Sequence, residues 1–179
     1  MASVVFLRGI NVGGASLCKP AQVAKSLGKF DVVNIGAAGT FVVRKKVSDS
    51  TLRKKIAVQL ARTFRIKCEI MIVPAKAVLD LARKDPFKRQ SSGPEITRFV
   101  SVLHKGKTLP VRLPLNLPSD HDRLLRVIRI ENQFVVGFYQ RQMKAIGYLG
   151  KIEKILGVPA TARSWNTIEK VVNILLADS

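Results

Sequence analysis

The sequence predicts an α+β protein of two consecutive units, each with the element order strand, helix, strand, strand, helix, strand. Short apolar runs of strand length alternate with amphipathic segments of helical period, which is the first observation behind this prediction. A stretch rich in proline, serine and glycine, residues 85–95, interrupts the chain after the first set of elements. The same order then begins again, without obvious residue identity between the two halves.

The first predicted unit covers residues 1–74 and has the split βαβ order of a ferredoxin-like sandwich. Its second helix is defined by apolar residues at every fourth position, with lysines and arginines on the opposite arc. We expect the first and fourth strands to pair and both helices to lie on one face. The expected strands are 3–7, 31–35, 40–43 and 69–73, and the expected helices are 20–28 and 51–65.

A helix at 75–83 and the linker make up the predicted middle segment, residues 75–97. The second predicted ferredoxin-like unit covers residues 98–179 and includes a C-terminal helix. Gly157 is placed to end a helix, and the strand after it is expected at a sheet edge. The expected strands are 98–104, 126–130, 134–138 and 160–163, and the expected helices are 119–125, 145–156 and 167–176.

Composition indicates a globular chain with a core of its own. The 179 residues are 47% hydrophobic and 24% charged, with a mean hydropathy of +0.14. No apolar run approaches the roughly 18 to 20 residues that a membrane span requires, so no membrane partner is expected. The start of the chain lacks a basic region and a long apolar stretch, and therefore does not resemble a signal peptide. Two cysteines offer no disulfide framework, which favours a cytoplasmic location.

Charge is the strongest functional signal in the sequence. Lys and Arg number 31 against 12 Asp and Glu, for a formal net charge of +19, whereas a magnitude of about 2 to 8 keeps a small domain soluble. Between Asp31 and Glu69 the only acid is Asp49. We expect a patch that contacts nucleic acid or another polyanion with little sequence preference. The predicted patch comprises Arg44, Lys45, Lys46, Lys54, Lys55, Arg62 and Arg65.

A glycine-rich segment, GINVGG at 9–14, lies between the first strand and the first helix. Such a turn can direct backbone N–H groups at an anion, which would make the protein a binder of small phosphate or carboxylate ligands, or an enzyme acting on them. The lysine of a P-loop does not follow Gly14, so nucleotide hydrolysis of that type is disfavoured. The alternative is a tight turn in which Asn11 bonds the local backbone. The candidate anion-binding residues are Arg8, Gly9, Asn11, Gly13, Gly14 and Lys19.

The closing segment SWNT, residues 164–167, has two interpretations. Asn166 can cap the final helix, with Glu169 at capping-box spacing and Trp165 packed at the helix entry. Alternatively, Arg163, Trp165 and Asn166 line a ligand groove, because an indole beside a guanidinium suits a planar or anionic group.

Two other motifs give weaker indications of function. TFVV at 40–43 lacks the aromatics of an RNA recognition motif, and SDHD at 119–122 is interpreted as a helix start because adjacent residues diverge in direction. We therefore predict no catalytic residues, no metal and no cofactor. A structural or oligomerisation protein, whose charge is incidental, is a third possible class beside the nucleic-acid binder and the small-anion binder.

Two motifs resemble a bacterial family known as domain of unknown function 1697. Members open with LRGINVGG, as residues 7–14 do here, and close with a segment similar to RNWNT, which corresponds to ARSWNT at 162–167. Ser164 replaces the usual Asn. In the middle, NIGAAGTFVV at 34–43 departs from the family's YINSGNVVF and lacks its Asn-Ser pair. The resemblance implies an α+β fold of ferredoxin-like units and supplies no activity.

Overall fold

The computed structural model describes residues 2–12, 14, 17–88, 90, 93–105 and 108–177. The chain divides into two compact units. The first comprises Met1–Arg83 together with Glu169–Ser179, and the second comprises Lys84–Ile168. This division differs from the predicted boundaries, because the helix at 75–83 and most of the C-terminal helix group with the first unit.

The first unit contains a four-stranded antiparallel sheet with the strand order β2-β3-β1-β4. The predicted pairing of the first and fourth strands is confirmed. The first helix is shorter than the predicted 20–28, because it ends at Ser26 and a 3-10 turn, Gly28–Phe30, follows its C-cap. The elements are β1 (Ser3–Leu7), α1 (Pro20–Ser26), β2 (Val32–Ile35), β3 (Thr40–Val43), α2 (Asp49–Gln59), β4 (Ile70–Pro74) and α3 (Ala75–Arg83).

Both α1 and α2 pack on the same face of this sheet, as the sequence predicts. Val5 of β1 lies opposite Phe41 of β3 and Ile72 of β4, so the three side chains share one face. These residues form one buried cluster with α1 and with α2. The buried helical residues in the cluster are Val23, Ala24 and Leu27 of α1 and Leu52 and Ile56 of α2, followed by Leu60.

Helix α2 begins at a capping serine and ends in an unusual way. Ser48 Oγ accepts a hydrogen bond from the Thr51 N–H at 3.2 Å. After Gln59 the helix continues as a π-helical turn, Leu60–Phe64. Arg65 then adopts the left-handed conformation with φ of 55°, and the Ile66 N–H donates to the Leu60 carbonyl at 3.2 Å. The Arg65 N–H donates to the same carbonyl, so the helix ends in a widened, π-type turn, and the Ile66 side chain is buried beneath it.

The second unit contains a five-stranded antiparallel sheet with the order β6-β7-β8-β5-β9. The strand predicted at the sheet edge, β9, lies there. Gly157 ends α4 in the left-handed conformation with φ of 71°. The elements are β5 (Ile96–Leu103), β6 (Leu115–Pro118), β7 (Arg123–Glu131), β8 (Phe134–Gln140), α4 (Met143–Leu156), β9 (Ala160–Ser164) and α5 (Trp165–Ala177), whose end groups with the first unit.

The helix predicted at 119–125 is wrong. An edge strand, β6, precedes this segment, and β7 already begins at Arg123. Ser119 Oγ does accept a hydrogen bond from the Asp122 N–H at 3.2 Å, but this bond closes a turn. The reason is tertiary, because Leu125 pairs with Leu117 of β6 and with Tyr139 of β8. The fold is thus a mixed α+β fold with two antiparallel sheets and five α-helices in the described part of the chain.

One face of the second sheet is covered by α4. Ile152 and Leu156 of α4 pack in a buried cluster with Phe99, Leu125 and Val127. The opposite face therefore carries the alternate residues of the same strands. Within the residues that the structure describes, no helix is both long and apolar enough to cross a membrane.

Candidate functional sites

The predicted polyanion patch lies on and beside the outer face of α2. We call its seven residues, Arg44, Lys45, Lys46, Lys54, Lys55, Arg62 and Arg65, the basic surface. All of them are exposed except Arg44, which is half-buried and lies 3.6 Å from Asp31 through its guanidinium. Lys46 is two residues from the cap of α2, so the turn after β3 leads directly into the helix.

Packing of α2 on the sheet directs its cations to solvent. Because Leu52 and Ile56 are buried, Lys54 and Lys55 lie on the outer arc of the helix. Arg62 follows Lys55 by seven residues, about two turns or 10 Å along the axis. Arg53 was outside the predicted patch and has a different role, since its guanidinium donates to the Ile70 carbonyl of β4.

The exposed cations of the basic surface are not neutralised by neighbouring acids. Elsewhere in the chain the structure has short ion pairs, such as Lys76 with Asp80 at 2.6 Å. Within the described residues, no side-chain hydrogen bond or salt bridge involves Lys45, Lys46, Lys54, Lys55, Arg62 or Arg65. The basic surface therefore presents uncompensated positive charge.

The glycine-rich segment forms a turn that is closed by Asn11. Its Nδ2 donates to the carbonyls of Cys18 at 2.9 Å and Ala37 at 2.8 Å, and its Oδ1 accepts from the Cys18 N–H at 2.7 Å. Gly9 and Gly14 have φ of 74° and 76°. The interpretation in which Asn11 bonds the local backbone is confirmed. Gly13 lies outside the described residues.

Since both amide hydrogens of Asn11 are engaged, an anion in this turn would depend on backbone N–H groups and on flanking cations. Arg8 is half-buried, and its backbone N–H donates to the Glu69 carbonyl at 3.0 Å. Lys19 is exposed directly before α1. The anion cradle stays a prediction.

The groove candidates of the closing segment have separate surroundings. Arg163 is buried in β9, where its guanidinium donates to Thr161 Oγ1 and to the Ala162 carbonyl, both at 2.8 Å. Burial lowers the pKa of Arg163 to about 10. The half-buried Trp165 contacts the Phe87 ring edge to face, with ring centroids 5.1 Å apart.

Asn166 does not cap the final helix. Helix α5 begins at Trp165, so exposed Asn166 lies inside the first turn. Ser164 is the residue before the helix, and its Oγ accepts from the Thr167 N–H at 3.4 Å. Serine is a favoured N-cap, so Ser164 supplies the capping side chain of this helix.

The two thiols are not activated. Burial raises the pKa of Cys18, and burial together with the charges of Cys18 and Glu69 raises the pKa of Cys68 to about 11, against an opposing backbone hydrogen bond from Arg8. Both cysteines are free. No group of three His, Cys, Asp or Glu side chains converges within the described residues.

One feature of the second unit was missed by sequence analysis. A cavity of about 380 Å³ lies between residues 84–88, with Gln90, and β7, and Lys84, Lys88 and Arg129 are among its lining residues. Its only sequence signal is the excess of basic residues at 83–89. Arg129 of β7 completes the lining of this cavity. An irregularity in the pairing of β7 with β8 positions it, and a sequence pattern does not reveal such an irregularity.

The fold and these sites define a basic α+β protein with two antiparallel sheets. The chain belongs to the family described as "Protein of unknown function (DUF1697)", whose model matches residues 1–120. The matched region includes the glycine-rich segment and ends before SWNT. Among solved structures, the chain is similar to the conserved bacterial protein SP0830 from Streptococcus pneumoniae. That likeness has a TM-score of 0.59 at 14% identity, covers 97% of this chain and 98% of that chain, and shows the fold alone. No curated protein matches.

Proposed function

We propose that the protein binds nucleic acid through the basic surface, with little sequence preference. One observation carries the proposal: six exposed cations follow α2 and the turn before it without a salt bridge in the described residues. An unneutralised row of this kind attracts phosphates and releases their counterions.

The dimensions of the basic surface suit a phosphate backbone. From Asp49 to Arg62 the helical segment rises roughly 20 Å, at about 1.5 Å per residue. Lys and Arg contacts to phosphates position a protein without reading bases. No aromatic side chain belongs to the basic surface, so base stacking is not part of this mode of binding.

The test is a titration of labelled duplex DNA and single-stranded RNA with the full chain across a salt series. Contact with about four to six phosphates should give a slope of log K against log salt of about −4 to −5 on duplex DNA. Duplexes of unrelated sequence should bind with similar affinity. Absence of binding at low salt would contradict the proposal and favour a small-anion ligand at the glycine-rich turn.

A triple variant locates the interaction on α2. Lys54→Gln, Lys55→Gln and Arg62→Gln together should flatten the slope and weaken binding by a similar factor on every sequence. The matched control removes three cations from α4, by Lys144→Gln, Lys151→Gln and Lys154→Gln. Equal weakening by the control would assign binding to net charge, and an unchanged affinity of the α2 variant would contradict the proposal directly.

We also propose that both units follow the ferredoxin-like plan. The order β2-β3-β1-β4 of the first sheet has the same form as β7-β8-β5-β9 in the second, which supports this proposal. In the second unit, β6 would stand in place of the first helix. We propose a cytoplasmic location as well, supported by the two free cysteines.

A further inference from the structure

The cavity of about 380 Å³ in the second unit lies beside β7, and three of its seven lining residues are cations. Lys84 and Lys88 reach it from the segment before the sheet, and Arg129 reaches it from β7. Asp85 is the one acid of the lining. The volume is within the range of small-molecule pockets, about 300 to 1,000 Å³.

A β-bulge places Arg129 in this cavity. Val127 lies opposite Gly137 of β8, but Arg129, rather than Ile128, lies opposite the next residue, Val136. The extra residue reverses the alternation of side chains along β7. As a result, Ile130 packs with the cluster under α4, and Arg129 faces the opposite side.

Two further guanidinium groups lie on the same face of the sheet as Arg129. Arg126 of β7 and Arg98 of β5 both pair with Phe138 of β8, so Arg126, Phe138 and Arg98 form one row across the three strands. The Nε atoms of Arg98 and Arg126 are buried and have no hydrogen-bond partner in the described residues. Arg98 also donates to the Gln90 carbonyl at 3.4 Å, and Gln90 lines the cavity.

The acids near the cavity do not balance these cations. Glu131 lies 3.1 Å from Lys84 Nζ and neutralises that one charge. Asp85 offsets one more. Within the described residues, no salt bridge involves Lys88, Arg98, Arg126 or Arg129. The cavity therefore holds an excess of positive charge, and Arg98, whose buried Nε has no partner in the described residues, is hydrogen-bonded to its lining residue Gln90.

We propose that this cavity binds the phosphate group of a small phosphorylated molecule, with Lys88 and Arg129 as its principal ligands. Guanidinium groups pair with phosphate through fixed, charge-assisted hydrogen bonds, and an ammonium group adds a mobile point charge. The site lies in the second unit, whereas the basic surface lies in the first. The proposal therefore goes beyond nucleic-acid binding and does not depend on it.

Calorimetric titration of the full chain with inorganic phosphate at low ionic strength tests the site. We expect saturable binding with one site per chain, and Arg129→Gln should weaken it by about tenfold or more. The matched control, Lys144→Gln, removes one exposed cation of α4 on the other face of the sheet and should leave the affinity unchanged. Chloride at equal ionic strength should give no saturable heat.

Several outcomes would overturn the proposal. Non-saturable heat, or equal affinity of the wild type and Arg129→Gln, would do so. If Arg129→Gln fails to fold by circular dichroism, Lys88→Gln replaces it, because Lys88 is exposed and lies outside the sheet. Loss of oligonucleotide binding in Arg129→Gln without any phosphate binding would instead extend the nucleic-acid surface. Phosphate binding retained by the α2 triple variant separates this site from the basic surface.

Discussion

Asn11 and the two cysteines illustrate how single residues acquire their roles from what surrounds them. Asn11 uses both amide hydrogens and its carbonyl oxygen to tie Cys18 and Ala37 to the glycine-rich turn. An aspartate could not donate these bonds. Asn11 has a φ of 53°, which asparagine tolerates better than most residues. The Asn of LRGINVGG is therefore explained by turn closure.

Cys68 should make the stability of the fold pH-dependent in the alkaline range. Its pKa rises from about 9 to about 11 on folding, so the folded state holds its proton more tightly. This contribution to stability is complete below pH 9 and is lost as the pH rises from 9 to 11. Urea unfolding at steps across this range should show a decline that Cys68→Ser reduces.

The reactivity of the thiol and the opposite contribution of Arg163 allow the effect to be assigned to Cys68. At pH 8 folded Cys68 should carry about a hundredfold less thiolate than an ordinary thiol, so its alkylation should be slow until the chain unfolds. Arg163 acts with the opposite sign, because its lowered pKa relieves a buried charge only above about pH 10. The stabilities of the wild type and Cys68→Ser are therefore best compared between pH 9 and 10, where Arg163 does not yet contribute. Identical profiles for the wild type and Cys68→Ser would contradict the argument.

At the scale of elements, helix α2 shows where a sequence pattern is sufficient and where it is not. Its apolar repeat predicted the buried face, and the helix begins two residues before the predicted start of 51, directly after the Ser48 cap. The predicted end at residue 65 agrees with the structure, but the left-handed conformation of Arg65 was not visible, because residues that end a helix in this conformation are usually glycine. The capping hydrogen bond and the buried Ile66 hold Arg65 in that conformation.

Arg65→Gly should therefore stabilise the protein while weakening its attraction for polyanions. Glycine adopts positive φ without steric cost, so we expect a gain of about 1 kcal/mol in the free energy of unfolding. Thermal and urea unfolding measure this gain. Arg65→Ala is the matched control, since it removes the same cation but keeps a Cβ at φ of 55°. Equal stabilities of the two variants would show that the left-handed conformation carries no strain.

At the scale of the whole molecule, the formal net charge of +19 acts on stability as well as on binding. Like charges at high density repel one another and disfavour the compact state. Described acids pair with a few cations, such as Asp80 with Lys76 and Arg83, but the 31 cations of the chain far outnumber its 12 acids. Nucleic acid or phosphate would relieve this repulsion by supplying the missing negative charge.

Salt should therefore raise the melting temperature of the free protein. Increasing NaCl from roughly 10 mM to roughly 300 mM shortens the screening length from about 30 Å to below 8 Å. If this screening raises the free energy of unfolding by about 1 kcal/mol, the melting temperature should rise by about 2–4 °C. Differential scanning calorimetry measures this, and the rise should be smaller in the α2 triple variant, which carries three fewer cations. A melting temperature that falls with salt would indicate that attractive ion pairs dominate.

The sequence by itself determined the first sheet with its two helices, the basic outer face of α2 and the membership in the family. These features depend on local periods of two and four residues and on capping side chains, which a chain displays before it folds. Tertiary structure alone decided that residues 123–125 are strand, that Ser164 rather than Asn166 caps α5, and that the cationic cavity exists. Residues 123–125 are strand because β6 and β8, at other places in the chain, pair with β7. Ser164 caps α5 because β9 ends there and the helix begins at the next residue. The cavity depends on strand register, since one bulge turns Arg129 toward Lys84 and Lys88.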